Sequence, residues 1–74
     1  MRNKLSTDGR ALRAIRQAKG WDLRGFASHV DISESHLGNA ECGRRDLTPP
    51  KLKRVADALG VNVTDITVHF QGAV

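Results

Sequence analysis

The stretch of sequence that decides the fold reads Asp31-Ile32-Ser33-Glu34-Ser35-His36-Leu37-Gly38-Asn39-Ala40-Glu41-Cys42-Gly43. It is typical of a short helix, because Ser33 is a common helix-starting residue and Gly43 a common helix-ending one. Only Ile32, Leu37 and Ala40 are residues of the kind that protein interiors hold. Most of this helix is therefore expected to face outward, and so polar a surface calls for a functional explanation.

Two helices are predicted before this stretch. Asp8 can cap a first helix that runs from about Gly9 to Lys19, and Gly20 can end it. Asp22 can cap a second helix, and in both helices apolar residues recur every three or four positions. These apolar residues are Leu12, Ile15, Leu23, Phe26, Ala27 and Val30. Asp31 then serves as a turn residue that tolerates a left-handed backbone, and two helices joined by so short a turn form the helix-turn-helix plan.

A fourth helix is the clearest of the predicted elements. Thr48 can cap it, and Pro49 and Pro50 fall in its first turn, where a missing N–H group costs nothing. Gly60 ends it. Its inward stripe follows the i, i+3, i+4, i+7 pattern and consists of Leu52, Val55, Ala56 and Leu59.

The C-terminal segment leaves two structures open. Asn62 and Asp65 resemble a capping box that would begin a short fifth helix. Residues 67–70 alternate and are rich in β-branched and aromatic residues, so they fit a short strand equally well. The fold class is therefore all-α, a compact bundle of about five short helices with a possible C-terminal strand. Residues 1–7 are interpreted as a flexible basic arm, 8–67 as the folded domain and 68–74 as a tail.

Composition limits the class of protein. A chain of 74 residues makes one small domain, and its 39% hydrophobic and 4% aromatic residues suit a helical bundle. Twelve Lys and Arg against eight Asp and Glu give a net charge of +4, which favours a polyanionic partner. The single cysteine, Cys42, excludes an intramolecular disulfide and suits a reducing compartment. No apolar run fits a membrane span or signal peptide, so we expect a soluble protein of the bacterial cytoplasm, or of the host cytoplasm if it comes from a phage.

In their order, these signals resemble the phage repressor and Cro-like helix-turn-helix family. The resemblance covers roughly residues 9–66 and includes the two capped helices, the Glu41-Cys42-Gly43-Arg44-Arg45 segment and the Ala58-Leu59-Gly60-Val61 helix end. It implies an ion pair between Arg16 and Glu41 that ties the first helix to the end of the third. A guanidinium group can bond a carboxylate through two parallel hydrogen bonds, which suits such a role.

The resemblance also implies which residues read DNA. In the family, the N-terminal part of the third helix enters the major groove and contacts base edges. Carried over position by position, the readers are Glu34, Ser35 and Asn39, with His36 and Gly38 beside them. Glu34 can accept a hydrogen bond from a cytosine amino group, and Asn39 can bond adenine bidentately. Gly38 has no side chain, which lets the backbone or a neighbour approach closely.

The third helix departs from the family in carrying no Lys or Arg, and the second begins with Leu23 where the family often has Gln. Phosphate binding is therefore assigned to other groups, namely cations and helix N-termini. The candidates are Arg44 and Arg45 after the third helix, Arg24 on the second, the helix N-termini at Asp22 and Ser33, and Arg2 and Lys4 in the arm.

The leading interpretation is a sequence-specific double-stranded DNA-binding transcriptional regulator that resembles Cro, a small repressor or an antitoxin. We expect a homodimer on a pseudo-palindromic site. The best candidate for its contact surface is the apolar tail, Val68, Phe70 and Val74, and the alternative is that Phe70 covers the core of its own domain. The alternative is a protein-interaction module that uses the same fold without reading bases, which the acidic third helix and Leu23 favour. No catalytic residues are expected, because no nucleophile, base and orienting residue stand at a recognisable spacing. No metal site is expected, because metal ligands need further partners at suitable spacing, and no cofactor or small-molecule substrate is expected.

Overall fold

The computed structural model describes the backbone of residues 3–71 and the side chains of residues 6–68. Four α-helices form the body of the molecule, in agreement with the predicted helical class. In chain order the elements are β1 (Asn3–Thr7), α1 (Gly9–Ala18), α2 (Leu23–His29), α3 (Glu34–Glu41), α4 (Pro49–Leu59), a 3-10 helix (Val63–Ile66) and β2 (Thr67–Gln71). The predicted fifth helix is thus a single 3-10 turn.

The helix starts follow from local hydrogen bonds. The side chains of Asp8, Asp22 and Ser33 each accept a hydrogen bond from the backbone N–H three residues on, at 3.1, 2.7 and 3.0 Å. These three predicted caps are confirmed. Thr48 holds the cap position of α4, but its side chain makes no capping hydrogen bond. The two prolines that follow already remove two N–H groups of the first turn, so a capping side chain has little left to satisfy.

The end of α3 is also built by the backbone. Gly43 has a left-handed φ of 81°, and its N–H donates to the carbonyl of Ala40 at 3.2 Å. The N–H of Arg44 reaches the carbonyl of Asn39 at 2.9 Å. This pair of bonds is the Schellman arrangement, which glycine permits because it has no Cβ. Asp31 is the one described non-glycine residue with a positive φ, 58°, as its place in the turn between α2 and α3 predicts.

One core lies where the helices meet. Its largest fully buried side chains come from every helix and from the 3-10 turn: Phe26, Leu12, Leu37, Leu52, Ile66, Val30 and Val55. Trp21 and Leu23 are half-buried and pack against this core from the start of α2. The core therefore holds α2 and α3 at a fixed crossing, as the helix-turn-helix plan requires.

Gly9 sets how closely α1 approaches α3. It is buried, and a Cβ at this position would stand 2.5 Å from the carbonyl oxygen of Ala40 and closer still to that of Glu41. No side chain fits there without moving one of the helices. The first residue of α1 thus packs directly on the backbone at the end of α3.

The interpretation of residues 1–7 as a flexible arm is wrong for Asn3–Thr7. These residues form β1, which pairs antiparallel with β2 in a register that places Asn3 opposite Gln71 and Thr7 opposite Thr67. The domain therefore extends beyond the predicted limits of 8–67, and residues 68–71 of the predicted tail belong to its sheet. Val68 is 41% exposed on this sheet, whereas Val74 and the side chain of Phe70 lie outside the described residues.

Within the part of the chain that the structure describes, no helix has the length and apolar character needed to cross a membrane.

Candidate nucleic-acid interface

The outward side of α3 carries four of the five predicted base readers. Leu37 and Ala40 point into the core, which turns the opposite face of the helix toward solvent. Glu34, Ser35, Gly38 and Asn39 then line one open depression of about 450 Å³, together with Leu23 from α2 and Cys42 from the end of α3. The structure thus brings together the two side chains with the clearest base-reading chemistry, Glu34 and Asn39.

His36, predicted to lie beside the readers, is not among the residues that line this depression. Its ring is half-buried against α4, where Nδ1 lies 3.4 Å from Nζ of Lys51. Its Nε2 is buried and has no hydrogen-bond partner among the described residues. The reason is helical geometry, since position 36 lies about 100° around the helix from both Ser35 and Leu37 and so falls at the edge that α4 covers.

The predicted ion pair between Arg16 and Glu41 is confirmed. Nε of Arg16 donates to one carboxylate oxygen of Glu41 at 2.7 Å, and Nη2 donates to the other at 3.0 Å. Both side chains are nearly inaccessible, with 6% and 5% of their surfaces exposed. Nη1 donates to the carbonyl of Trp21 at 2.7 Å, so one guanidinium joins α1, the start of α2 and the end of α3.

The environment of this pair raises the pKa of Arg16. The hydrogen bond with Glu41, and then the charges of Glu41 and Asp22, raise the pKa of Arg16 above its ordinary value, against the opposing effect of burial. Arg16 therefore keeps its charge in the interior, and the pair braces the orientation of α3 relative to the other helices.

The predicted phosphate-binding residues Arg44 and Arg45 are exposed and lie in the loop that follows α3. Their backbone N–H groups both donate to the carbonyl of Asn39, at 2.9 and 3.3 Å. The same loop is held from its other end, because the Thr7 N–H donates to the Asp46 carboxylate at 2.9 Å and the Leu47 N–H donates to the Thr7 hydroxyl at 3.0 Å. Two exposed cationic side chains therefore stand on a backbone that is hydrogen-bonded on both sides.

The other predicted phosphate contacts differ in character. Arg24 is exposed on α2, and Ser33 offers a neutral helix N-terminus. Asp22 brings a carboxylate to the start of α2, where it already accepts the Gly25 N–H, so a phosphate there would meet a negative charge. A Cβ on Gly25 would stand 2.6 Å from that carboxylate oxygen, which explains a glycine inside α2.

The two basic residues predicted in the arm are Arg2 and Lys4. Lys4 belongs to β1, where its backbone lies opposite that of Phe70. Arg2 lies outside the described residues.

Sequence reasoning missed two residues of the depression. In the sequence, Leu23 is only a departure from the family pattern, and Cys42 is only a lone cysteine. Cys42 stands four residues after Gly38, a spacing that places both on one helix face and could have indicated it. The contact between Leu23 and α3 has no such local signal, because it depends on how α2 and α3 cross. Among the described residues, no three His, Cys, Asp or Glu side chains converge as a metal site would require.

Known sequences similar to this chain contain the same helix-turn-helix domain. A family model described as "Helix-turn-helix domain" matches residues 9–67. An uncharacterized HTH-type transcriptional regulator of Bacillus subtilis (strain 168), YazB, is 36% identical over 58 residues, which cover 78% of this chain and 84% of that protein.

Solved structures share the fold. The clp gene regulator ClgR from Corynebacterium glutamicum is 38% identical with a TM-score of 0.72, over 77% of this chain and 61% of the other. The restriction-modification controller protein C.AhdI from Aeromonas hydrophila is 28% identical with a TM-score of 0.73, over 77% of this chain and 86% of the other. The chain belongs to the helix-turn-helix family of DNA-binding transcriptional regulators.

Proposed function

We propose that this regulator is a binding protein rather than an enzyme, and that it recognises specific double-stranded DNA sequences with α3 in the major groove. The observation that carries the proposal is the convergence of Glu34, Ser35, Gly38 and Asn39 on one open surface of α3. The major groove is about 12 Å wide, which matches the diameter of a helix with its side chains. The buried pair of Arg16 and Glu41 would hold the helix rigid while it reads.

Reading and affinity are divided between two parts of the molecule. The residues that line the depression include no cation, so they offer hydrogen bonds to bases but little attraction to phosphates. Arg44 and Arg45 supply that attraction from a loop whose backbone is hydrogen-bonded to Asn39. In this arrangement the loop sets affinity for any duplex and α3 selects among sequences.

Fluorescence anisotropy on labelled duplex DNA across a salt series tests the proposal. Counterion release predicts that the logarithm of the binding constant falls linearly with the logarithm of salt concentration. A duplex selected from a random pool should bind more tightly than a scrambled one of the same composition. Failure to bind any duplex at about 50 mM salt, where non-specific binding is strong, would contradict the proposal.

Replacing the loop arginines separates affinity from specificity. We expect Arg44→Ala and Arg45→Ala to weaken binding to all duplexes alike and to reduce the salt slope by about one for each phosphate that is no longer neutralised. Lys53→Ala is the matched control, because it also removes one exposed positive charge, from a side chain on α4 that is paired with Asp57. A salt slope that changes as much in the control as in the loop variants would show that only net charge matters.

Cys42 provides a chemical footprint of the proposed surface. It is the single cysteine of the chain, it is exposed, and it lines the depression on α3. We expect a saturating selected duplex to slow its alkylation by iodoacetamide, measured by mass spectrometry of the intact protein. Salt high enough to dissociate the complex should restore the rate. Equal rates with and without DNA at low salt would place the duplex on another face.

We also propose that the protein binds as a homodimer to a pseudo-palindromic site. A single helix contacts few base pairs, and two-fold dimers of this plan place their recognition helices about 34 Å apart, one turn of DNA. Analytical ultracentrifugation with and without the selected duplex would measure the stoichiometry. Two protomers per duplex and two half-sites about 10 base pairs apart are expected.

A protein-interaction module is the second candidate, and one observation favours it. The described side chains of α3 include Glu34 on the exposed surface and no Lys or Arg, a balance that suits a basic protein partner as well as it suits base edges. The same anisotropy experiment distinguishes the two functions, since a module of this kind would show neither a sequence preference nor a steep salt slope.

A further inference from the structure

The lining of the depression on α3 has an apolar part, here named the floor (Leu23 and Gly38), and a polar part, here named the rim (Glu34, Ser35 and Asn39). Leu23 lies beside Gly38, so that a Cβ built on Gly38 would be 3.4 Å from Cδ2 of Leu23, an ordinary van der Waals distance. Because position 38 has no side chain, part of the Leu23 side chain is left uncovered and is only half-buried. Cys42, one turn after Gly38 at the end of α3, adds a weakly polar side chain to the same lining.

The rim has a different chemistry. Glu34 and Ser35 stand toward the N-terminal end of α3, and Asn39 lies beside Gly38. These side chains offer acceptors and donors that match the edges of bases. An apolar floor between such groups would receive no hydrogen bond from a base, so it is suited to a group without polar atoms.

The major groove presents one such group. Among the four bases, thymine alone carries a methyl group on its major-groove edge, whereas the other base edges there present hydrogen-bonding groups. A volume of about 450 Å³ easily admits a methyl group together with part of its base. We propose that Leu23 and Gly38 form a contact site for the C5-methyl group of thymine and so determine specificity at one position of each half-site. This inference rests on the proposed binding of DNA by α3.

Removing single methyl groups from the DNA tests the proposed thymine contact. Each thymine of a selected duplex is replaced in turn by deoxyuridine, which removes the methyl group and keeps every hydrogen-bonding group. Burial of one methyl group corresponds to about a four-fold change in a binding constant. We expect one thymine per half-site at which the replacement weakens binding of the wild-type protein by about this factor, as measured by anisotropy.

Two protein variants test whether the loss of affinity on removing the thymine methyl group depends on Leu23 and Gly38. Gly38→Ala places a methyl group over Leu23 and should bring the ratio of thymine to uracil affinities close to one. The variant should remain folded, because alanine favours a helix over glycine and its Cβ meets Leu23 at an ordinary distance. Leu23→Gln replaces the apolar surface itself and should reduce the same ratio. Ser28→Ala, an exposed change elsewhere on α2, is the control and should leave the ratio at its wild-type value.

The outcomes separate this inference from the proposed function. Specific binding in which no deoxyuridine replacement weakens the complex would overturn the thymine contact and leave DNA recognition by α3 intact. A thymine effect that persists in both Gly38→Ala and Leu23→Gln would also overturn it, since the methyl group would then lie elsewhere. Absence of binding to any duplex would overturn the proposed function and the inference with it.

Discussion

Arg16→Ala is expected to destabilise the domain strongly. The substitution leaves the carboxylate of Glu41 in a site where only 5% of its side chain is exposed, and it removes the hydrogen bond to the carbonyl of Trp21. Breaking a buried ion pair from one side costs about 3–5 kcal/mol, a large part of the stability of a small domain. Thermal unfolding followed by the fluorescence of Trp21, the single tryptophan, should show a Tm lower by more than about 10 °C.

Two controls show whether the effect comes from the unpaired charge. Arg13→Ala removes an exposed arginine from the same helix and should change stability by no more than about 0.5 kcal/mol. The double replacement Arg16→Met with Glu41→Leu removes both charges and should recover most of the stability, because no buried carboxylate is then left without a partner. Equal Tm values for Arg16→Ala and Arg13→Ala would contradict the structural role of the pair.

The direction of the pKa shift sets the pH range of this contribution. The pKa of Arg16 is raised in the folded protein, so its contribution to stability is complete below the ordinary arginine pKa and disappears only as the pH rises through the higher folded value. Deprotonation of Arg16 therefore has no part in the stability near neutral pH. The Arg16→Ala deficit should not shrink between neutral and moderately alkaline solution.

Asn39→Ala is expected to have the largest effect on sequence preference. Asn39 stands in the depression beside Gly38, and its amide can bond an adenine bidentately. Removing such a bond costs about 1–3 kcal/mol of discrimination at one base position, while contacts to phosphates are unchanged. Selection of bound sites from a random duplex pool should therefore return a motif without a preference at a single position of each half-site.

The salt slope is the control for Asn39→Ala, because the backbone of Asn39 also holds the loop that carries Arg44 and Arg45. Its carbonyl accepts the N–H groups of Arg44 and Arg45, and alanine keeps that carbonyl, so the loop should stay in place and the salt slope should remain that of the wild type. Glu34→Ala serves as the matched variant on the same surface and should relax a different position. A selected motif unchanged by Asn39→Ala would show that the side chain does not contact a base.

Local interactions explain why much of the fold could be read from the sequence. Asp8, Asp22 and Ser33 cap helices through contacts to the residue three positions on, and the left-handed backbone at Asp31 belongs to the turn itself. Such signals lie within a few residues and need no knowledge of distant neighbours. The pairing of Arg16 with Glu41 spans 25 positions, and the family resemblance rather than the spacing predicts it.

The ends of the chain show the limit of local signals. Residues 3–7 have no helical period, and their partner strand lies at the other end of the chain, so nothing within the segment distinguishes a flexible arm from β1. Strand pairing depends on a second backbone whose position the helices determine. Thr7 then joins the sheet to the loop that carries Arg44 and Arg45, a connection that tertiary structure alone could reveal.

The sequence by itself determined that α3 is a polar helix, capped by Ser33 and turned outward by Leu37 and Ala40, because both follow from local chemistry and periodicity. Only the tertiary structure decided what its surface contains. The crossing of α2 over α3 places Leu23 beside Gly38, and the approach of α4 covers His36 next to Lys51. Helix packing angles depend on all contacts in the core at once, so the composition of a surface shared by two helices cannot be read from either helix alone.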